Sequence, residues 1–397
     1  MSPLSQLPLE IIYHIIGLLE DDVSTLQHCA LSNKAMLSCA RANLYRNIRF
    51  IGYAYRQLQL LSRTLQAEHT LGSLVRSLRI SGVSPFGDRG IYTDFFLTPD
   101  VLPFHLLSQL RELNLHGMQF CHIDDLVAIV GALPALERLV CDALIDDMLP
   151  LLPLEQVGQR IFQRSNGLEQ PWPDPAQLPR LKELVIKNGQ HRWEHWTLSK
   201  RLLMVHPVAL QGLQLIDVSV GCVAEAAAWV PVIRAASLRL HSLSITMADR
   251  YYRHAEPLLP PDILRQYSSD HAYIVDNVAH CSALRFLRLK SRPDLFAPPE
   301  APQPPSFLEP LCEAFEGRPP LFPAFEHLEL WMVDREGRTV SVTDELAARL
   351  ASSLLDSQRY PHFRRLSVRI RPQSWLADLQ IQRCADPGRT PVRPFSD

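Results

Sequence analysis

The chain has 397 residues, of which 47% are hydrophobic and 21% are charged, and its formal net charge is −2. This composition is enough to bury a large core, so we exclude an intrinsically disordered protein and expect two or three domains. The near-neutral charge gives no general attraction to nucleic acid or to an anionic membrane, and we predict neither as a partner.

The N-terminal residues lack the charged start, apolar centre and small-residue cleavage site of a signal peptide. No stretch reaches the roughly 18 uninterrupted apolar residues that a membrane-spanning helix needs. We therefore expect a cytoplasmic or nuclear protein. The eight cysteines form no C-x-x-C pair, and we interpret them as reduced, mostly buried side chains.

The first fifty residues predict three short amphipathic helices. Pro8 suits the first helical position, and apolar side chains from Ile11 to Leu19 follow at helical spacing. Asp21 and Asp22 can end the first helix and cap the second, and the third helix is expected to close on Leu44, Tyr45 and Ile48. Three helices of this size cannot bury all of their apolar surface alone, so one face needs a partner or the rest of the chain.

This segment resembles an F-box in its Leu-Pro-x-Glu-Ile start, its Asp-led second helix and its Ala-Arg-x-x-Leu-aromatic-Arg ending. Ser32 and Met36 depart from the pattern, because fungal-type F-boxes usually carry Val and Trp there. The alternative is an ordinary three-helix cap on a larger domain. The matching residues are Leu7, Pro8, Glu10, Ile11, Ile15, Leu18, Leu19, Asp22, Leu26, Cys29, Leu31, Lys34, Ala40, Arg41, Leu44, Tyr45 and Arg46.

The resemblance implies that the helices dock the SKP adaptor and, through it, a cullin. Ser32 and Met36 keep a second possibility open, a degenerate F-box that no longer engages the adaptor. We expect the adaptor-binding surface to consist of Leu7, Pro8, Ile11, Ile15, Leu18, Leu26, Leu31 and Met36.

A short phrase of the form apolar-x-x-Leu-x-apolar recurs past residue 70. We call it the repeat phrase and its first residue the lead residue. Its second half alternates like a strand with one buried face, and its recurrence indicates supersecondary units stacked on one another. The nine copies have the lead residues Val75, Leu110, Leu136, Leu181, Leu210, Leu240, Leu284, Phe325 and Phe363.

Helical spacing between copies is found at residues 123–133, 223–236 and 344–355. The alternation of strand and helix resembles the leucine-rich repeat, although the Asn or Cys expected after each phrase is missing. We therefore predict the α/β fold class, with an N-terminal three-helix F-box followed by an irregular leucine-rich-repeat-like strand-helix solenoid, a horseshoe. A generic α/β domain with Leu-rich strands is the alternative.

The domain organisation follows from these patterns. Two proline-rich insertions, near 146–179 and 293–323, are expected to be loops, because proline removes the backbone donors that helices and sheets need. The predicted segments are an F-box helical domain at 1–50, a connecting helix at 51–70, a leucine-rich-repeat-like solenoid at 71–382 and a disordered tail at 383–397.

Catalytic patterns are poor. The sequence has no phosphate-binding loop, dinucleotide fingerprint or nucleophile elbow, and we predict no catalytic residue and no cofactor. His191, Glu194 and His195 have the H-x-x-E-H order of inverted zinc proteases. They follow a predicted repeat strand, so a surface loop or helix is favoured over a zinc enzyme, and we predict no metal site.

Aromatic residues follow several repeat strands and suggest a recognition surface for a protein target. From the resemblance we expect a non-catalytic substrate-recognition subunit of an SCF-type cullin-RING ubiquitin ligase. The alternative is a repeat scaffold for protein–protein interaction that carries a degenerate F-box. The aromatic residues of the hypothetical target surface are Trp193, Trp196, Tyr251, Tyr252 and Trp331.

Overall fold

The computed structural model divides into two compact units, Met1–Pro179 and Arg180–Asp397, which we call the first and the second unit. The residues that the structure describes are 8–19, 22–32, 34–51, 54–82, 97–118, 120, 123–142, 179–187, 210–220, 226, 229–248, 273–292, 308–317, 323–334, 340–372 and 377–382.

The first unit begins with three helices and continues as alternating strands and helices. Its strands pair in parallel in chain order. Short 3-10 turns lie at His69–Leu74 and Phe104–Leu106. The elements are α1 Leu9–Gly17, α2 Val23–Ser32, α3 Lys34–Arg46, β1 Asn47–Ile51, α4 Ala54–Ala67, β2 Ser77–Ser81, β3 Glu112–His116, α5 Ile123–Gly131 and β4 Arg138–Asp142.

The three N-terminal helices share a small core, as the apolar spacing predicts. Partly buried side chains, among them Met36 and Leu44, pack around it. The core is small because each helix contributes only one or two fully buried residues, which leaves other apolar side chains of α1 and α2 at the surface. The buried residues are Ile12, Ile16, Leu26, Cys39 and Ala40.

Helix α3 runs directly into strand β1. Of the residues on which the third helix is predicted to close, Leu44 and Tyr45 lie in the last turn of α3, which ends at Arg46, whereas Ile48 lies in β1. The β-branched and aromatic residues of this stretch favour a strand. Ile48 and Phe50 stand opposite Leu78 and Ile80 of β2, so Tyr45-Ile48-Phe50 takes the positions of a further copy of the repeat phrase, with Ile in place of its Leu, inside the predicted F-box.

Helix α4 connects β1 to the parallel strand β2 and lies within the stretch 51–70 predicted as a connecting helix. Its buried residues Leu58 and Leu65 and the strand residues Leu78 and Ile80 are all fully shielded from solvent. The helix therefore covers the face of the sheet that carries the last two residues of the repeat phrase, and leaves the opposite face open.

The second unit repeats the same scheme. Its first six strands are parallel, and the seventh pairs with the sixth in the antiparallel sense. Residues 273–278 add a helical turn before β8. The elements are β5 Glu183–Lys187, β6 Leu215–Val220, α6 Val230–Ala236, β7 Ser242–Ala248, β8 Phe286–Arg292, α7 Leu308–Glu316, β9 His327–Asp334, α8 Val340–Leu355, β10 Arg365–Pro372 and β11 Ala377–Gln382.

All nine repeat phrases lie at strands, but the fifth in chain order is displaced. We predicted Leu210-Leu213-Leu215, whereas Ile216 and Val218 stand in register with Leu184 and Ile186 of β5. The lead residue of this copy is therefore Leu213, three positions later. Both frames fit the sequence, and pairing selects the one that buries Ile216 and Val218 while Leu215 stays half-buried.

The residue after each lead residue joins one strand to the next. The carbonyl of Arg76 accepts two hydrogen bonds, from the N–H groups of Arg111 at 2.8 Å and Glu112 at 3.0 Å. The carbonyl of Arg111 does the same for Glu137 and Arg138, at 2.8 and 2.9 Å. We call this series the carbonyl ladder. In the second unit it runs through the carbonyls of Lys182, Gln214, His241, Arg285 and Glu326.

The predicted helices between strands are present among the described residues. Helix α5 confirms the prediction at 123–133, α6 lies within 223–236, and α8 contains 344–355. The prediction that 293–323 is only a loop is wrong, because α7 lies there. Pro310 is compatible with this helix since it stands in the first turn, where its missing N–H has no intrahelical partner.

The buried cysteines provide a test of the packing. Burial raises the pKa of Cys281 to about 12 and raises that of Cys141 as well. Because the thiolate is the reactive form, both thiols are expected to resist alkylation by iodoacetamide at pH 8 in the folded protein and to react in denaturant. Peptide mass spectrometry measures the labelling, and half-buried Cys29 serves as the more accessible reference. Equal rates at all three positions would contradict the packing.

Glycines at two positions give opposite expectations for an added methyl group. A Cβ at Gly72 would collide with the backbone carbonyl of Leu106, whereas a Cβ at Gly17 meets nothing within 4 Å. Gly72→Ala is expected to destabilise the first unit by about 1–3 kcal/mol. Gly17→Ala, its control in helix α1, is expected to stabilise by about 0.5–1 kcal/mol. Urea unfolding measures both, and equal effects would show that the two turns do not approach closely.

Candidate protein-docking and recognition surfaces

Helix α1 carries two apolar faces, and only one of them is covered. Ile12 and Ile16 lie in the core of the three helices. Ile11 and Ile15 are each 46% exposed, and Leu18 at the helix end is 75% exposed. These three residues are four and three positions apart, so they share one side of the helix. Together they form an uncovered apolar stripe, which we call the α1 stripe.

The other residues of the predicted adaptor surface fall into three groups. Pro8 is exposed and Leu31 is 87% exposed, so both are accessible to a partner. Met36 is half-buried against the core. Leu26 is only 1% exposed, and we remove it from the predicted surface because it stabilises the three helices from inside. Leu7 lies outside the described residues.

The start of α2 is fixed by the side chain of Asp22, as the sequence predicts. The backbone N–H of Thr25 donates to Asp22 Oδ1 at 2.9 Å, and the Thr25 hydroxyl donates to Asp22 Oδ2 at 2.6 Å. These bonds satisfy one of the free donors of the helix N-terminus. They also hold the pKa of the Asp22 carboxyl below its ordinary value, because they favour its charged form.

The open face of the first unit's sheet is crossed by residues that alternate with the buried ones. The strand register places them in three rows. In the first row, Arg138 Nη1 lies 3.3 Å from Glu112 Oε1. In the third row, His116 Nδ1 lies 3.1 Å from Asp142 Oδ2. The middle row consists of Arg49, Arg79, Asn114 and Val140.

The third row also contains Ser81, so it holds the residue types of a hydrolase triad. A nucleophilic serine needs a hydrogen bond to its histidine base. Ser81 and His116, both among the described residues, make no such bond within 3.5 Å. We therefore interpret His116 and Asp142 as a hydrogen-bonded pair on the open face of the sheet.

The open face of the second unit pairs its charges across neighbouring strands. Lys187 Nζ lies 3.2 Å from Asp217 Oδ2, and Arg288 Nε lies 2.6 Å from Glu329 Oε2. The Arg288 guanidinium also stands 5.0 Å from the centre of the Phe286 ring. Burial, together with the nearby Arg365, holds the pKa of the neighbouring His327 below its ordinary value.

Most residues of the hypothetical target surface lie outside the described residues. Trp193, Trp196, Tyr251 and Tyr252 lie outside the described residues, as do His191, Glu194 and His195. Trp331 lies in β9, where its backbone stands opposite Lys290 and Arg369. The tail at 383–397 and most of the insertion at 146–179 also lie outside the described residues.

The described helices and the described His, Cys, Asp and Glu side chains bear on membrane insertion and on metal binding. None of the helices that the structure describes is both long and apolar enough to cross a membrane. The same part of the chain holds no group of three or more His, Cys, Asp or Glu side chains that could bind a metal ion.

The first unit therefore combines a three-helix cluster that leaves an apolar stripe uncovered with a sheet of parallel strands. Residues 4–86 match the family model described as COS11 F-box domain, which supports an F-box protein of the fungal type. The match extends through β1, α4 and β2. F-box domains generally bind SKP adaptors, and F-box proteins are generally non-catalytic. No curated protein shows significant similarity to the chain.

The Asp22 cap generates a prediction about stability. Asp22→Ala is expected to lower the thermal midpoint at pH 7, because Thr25 loses its acceptor. The folded-state pKa is depressed, so the stabilisation is present above the unfolded carboxyl pKa and is lost as the pH falls through the folded pKa. The difference from wild type should therefore shrink in acid. Circular dichroism melts measure it, and Asp22→Asn, which keeps an acceptor, is the control. A deficit that is unchanged by pH would contradict this role.

Proposed function

We propose that the protein is a substrate-recognition subunit of an SCF-type cullin-RING ubiquitin ligase in the cytoplasm or nucleus. The F-box would bind the SKP adaptor, and through it a cullin, while the strand-rich part of the chain would bind a protein target. Such a subunit needs no catalytic residue of its own. It acts by raising the effective concentration of target lysines near a conjugating enzyme, which promotes ubiquitin-dependent degradation.

The α1 stripe is the observation that carries this proposal. Ile11, Ile15 and Leu18 are apolar, lie on one side of one helix and are exposed in the isolated chain. An uncovered apolar patch at the end of a folded domain is typical of a docking surface, because association removes it from water at roughly 25 cal/mol per Å² before the costs of association. Pro8 and Leu31 are exposed candidates for the same interface.

We further propose that the parallel strands belong to an irregular solenoid like that of leucine-rich repeat proteins. The repeat phrase and the carbonyl ladder support this interpretation, because each copy contacts its neighbour through the same positions. A row of parallel strands with one open face offers a broad surface to a protein target. Trp331 and the other aromatic residues named above remain proposed contributors to target binding.

A second candidate function is a scaffold for protein–protein interaction whose F-box does not bind the adaptor. Ser32 and Met36 favour it, since they replace the residues usual in fungal F-boxes. Ser32 donates its hydroxyl to the carbonyl of His28 at 2.6 Å, so part of its polarity is satisfied inside α2. Met36 faces the core. Neither residue therefore places an uncompensated charge beside the α1 stripe.

A binding titration of the full chain against a purified SKP adaptor distinguishes the two functions. Wild type is expected to bind, and Ile11→Asp with Ile15→Asp is expected to weaken binding at least a hundredfold, because two carboxylates would have to be desolvated in an apolar interface. Isothermal titration calorimetry gives the dissociation constants.

The matched control is Leu60→Asp on α4, where a leucine 54% exposed lies away from the α1 stripe. This variant also places a charge on an exposed apolar position of the first unit and should bind the adaptor like wild type. Absence of binding by wild type would support the scaffold. Equal loss in the Leu60 variant would show that the effect is not specific to α1.

A further inference from the structure

Two arginines stand side by side on the open face of the first unit's sheet. Arg49 on β1 is the register partner of Arg79 on β2, and both side chains are exposed. Neighbouring strands are about 4.8 Å apart, so two cations in this position repel one another and destabilise the sheet. Neither makes a hydrogen bond or ion pair with any residue that the structure describes.

The acidic groups on this face do not compensate the two arginines. Glu112 is bonded to Arg138 and accepts from the Ser77 hydroxyl at 3.5 Å. Asp142 Oδ2 lies within hydrogen-bond distance of His116 Nδ1, at 3.1 Å. The third neighbour in the middle row is Asn114, which is uncharged but able to donate a hydrogen bond. Among the residues that the structure describes, Arg49 and Arg79 are therefore adjacent cations of the middle row that have no acidic partner.

The second unit shows that this arrangement is not a general property of the repeats. Lys187 and Arg288, on the corresponding face, each have a carboxylate on the next strand at 3.2 and 2.6 Å. Pairing of opposite charges across strands is the stabilising arrangement. Arg49 and Arg79 depart from it, and a like-charged pair in register is explained when an anionic ligand lies between the two guanidinium groups.

We propose that Arg49 and Arg79, with Asn114 beside them, bind an acidic segment of a target protein. Guanidinium groups form paired hydrogen bonds with carboxylate or phosphate oxygens, so one phosphorylated side chain or two acidic side chains would occupy both arginines. An extended peptide places alternate side chains on one side about 6.6 Å apart, a span that two long arginine side chains can match. The proposal rests on the proposed function, because it specifies the kind of target.

A peptide fits better than a nucleic acid. Nucleic-acid affinity comes from neutralising several phosphates, whereas the described part of this face offers two arginines without an acidic partner, in a chain of net charge −2. The location also suits a target of the F-box protein. Arg49 is three residues beyond the end of α3, and the Arg46 carbonyl accepts from the Arg76 N–H at 2.8 Å. A bound segment would therefore lie beside the docking domain.

Fluorescence anisotropy with the full chain tests the proposal. The probes are fluorescein-labelled ten-residue peptides, one of glutamate, one of Gly and Ser with a single phosphoserine, and a neutral Gly-Ser peptide, together with a ten-nucleotide single-stranded DNA. At least one anionic peptide should bind, more weakly as salt increases, and the neutral peptide should not. The anionic peptide that binds more tightly identifies the source of the charge.

Arg49→Ala with Arg79→Ala should weaken the anionic peptide at least tenfold. The control is Arg56→Ala with Arg63→Ala, which removes two exposed arginines from α4 on the other side of the sheet. It should bind like wild type. Unchanged affinity in the Arg49 and Arg79 variant, equal loss in the control, no binding by wild type, or tighter binding of the DNA would each overturn the proposal.

Two further readouts keep the result interpretable. The Arg49 and Arg79 variant should melt at the same temperature as wild type or higher, because it removes a like-charge repulsion, so loss of binding would not reflect unfolding. It should also bind the SKP adaptor normally, since the α1 stripe is untouched. Failure of adaptor binding in wild type would reject the ligase function, whereas failure of peptide binding alone would reject only this inference.

Discussion

The carbonyl ladder is the interaction on which the rest of each sheet depends. At seven described positions, the carbonyl of the residue that follows the lead residue accepts the N–H groups of two consecutive residues at the start of the next strand. The ladder matches one register, and the alternation of apolar and polar residues selects that register, because a slip of one residue would move every buried side chain to the open face. The buried pair of each phrase and the polar rows on the open face are two results of the same constraint.

The sequence predicts the existence of strands better than their register. The spacing of the leucines locates every predicted strand, because a strand that buries one face must carry apolar residues at alternate positions. It fails where two frames overlap, as at Leu210 and Leu213, since only pairing with β5 distinguishes them. The sequence prediction also misses β1, because this strand follows α3 directly and its residues continue the apolar spacing of the helix. It misses α7 because the many prolines of this segment suggest a loop, although Pro310 stands in the first turn, where a helix accepts proline.

At the candidate surfaces, too, the sequence shows which side chains are apolar or charged, but not which of them are exposed or adjacent. Helical spacing reveals that α1 is apolar on more than one side, but only the packing of α2 and α3 determines that Ile12 and Ile16 are covered while Ile11 and Ile15 are not. Leu26 was misassigned for this reason. Arg49 and Arg79 are thirty positions apart in the chain, so no sequence window shows them as neighbours, and their proximity follows from parallel pairing across a crossover helix.

The direct passage from α3 into β1 means that the docking domain and the sheet are not separable modules. Removal of the first fifty residues would strip β2 of its pairing strand and expose its backbone N–H and C=O groups along a new edge. Such an edge is a template for pairing with other chains. An N-terminally truncated protein would therefore be prone to self-association, and exchange of this docking domain between proteins is structurally feasible only if β1 moves with it.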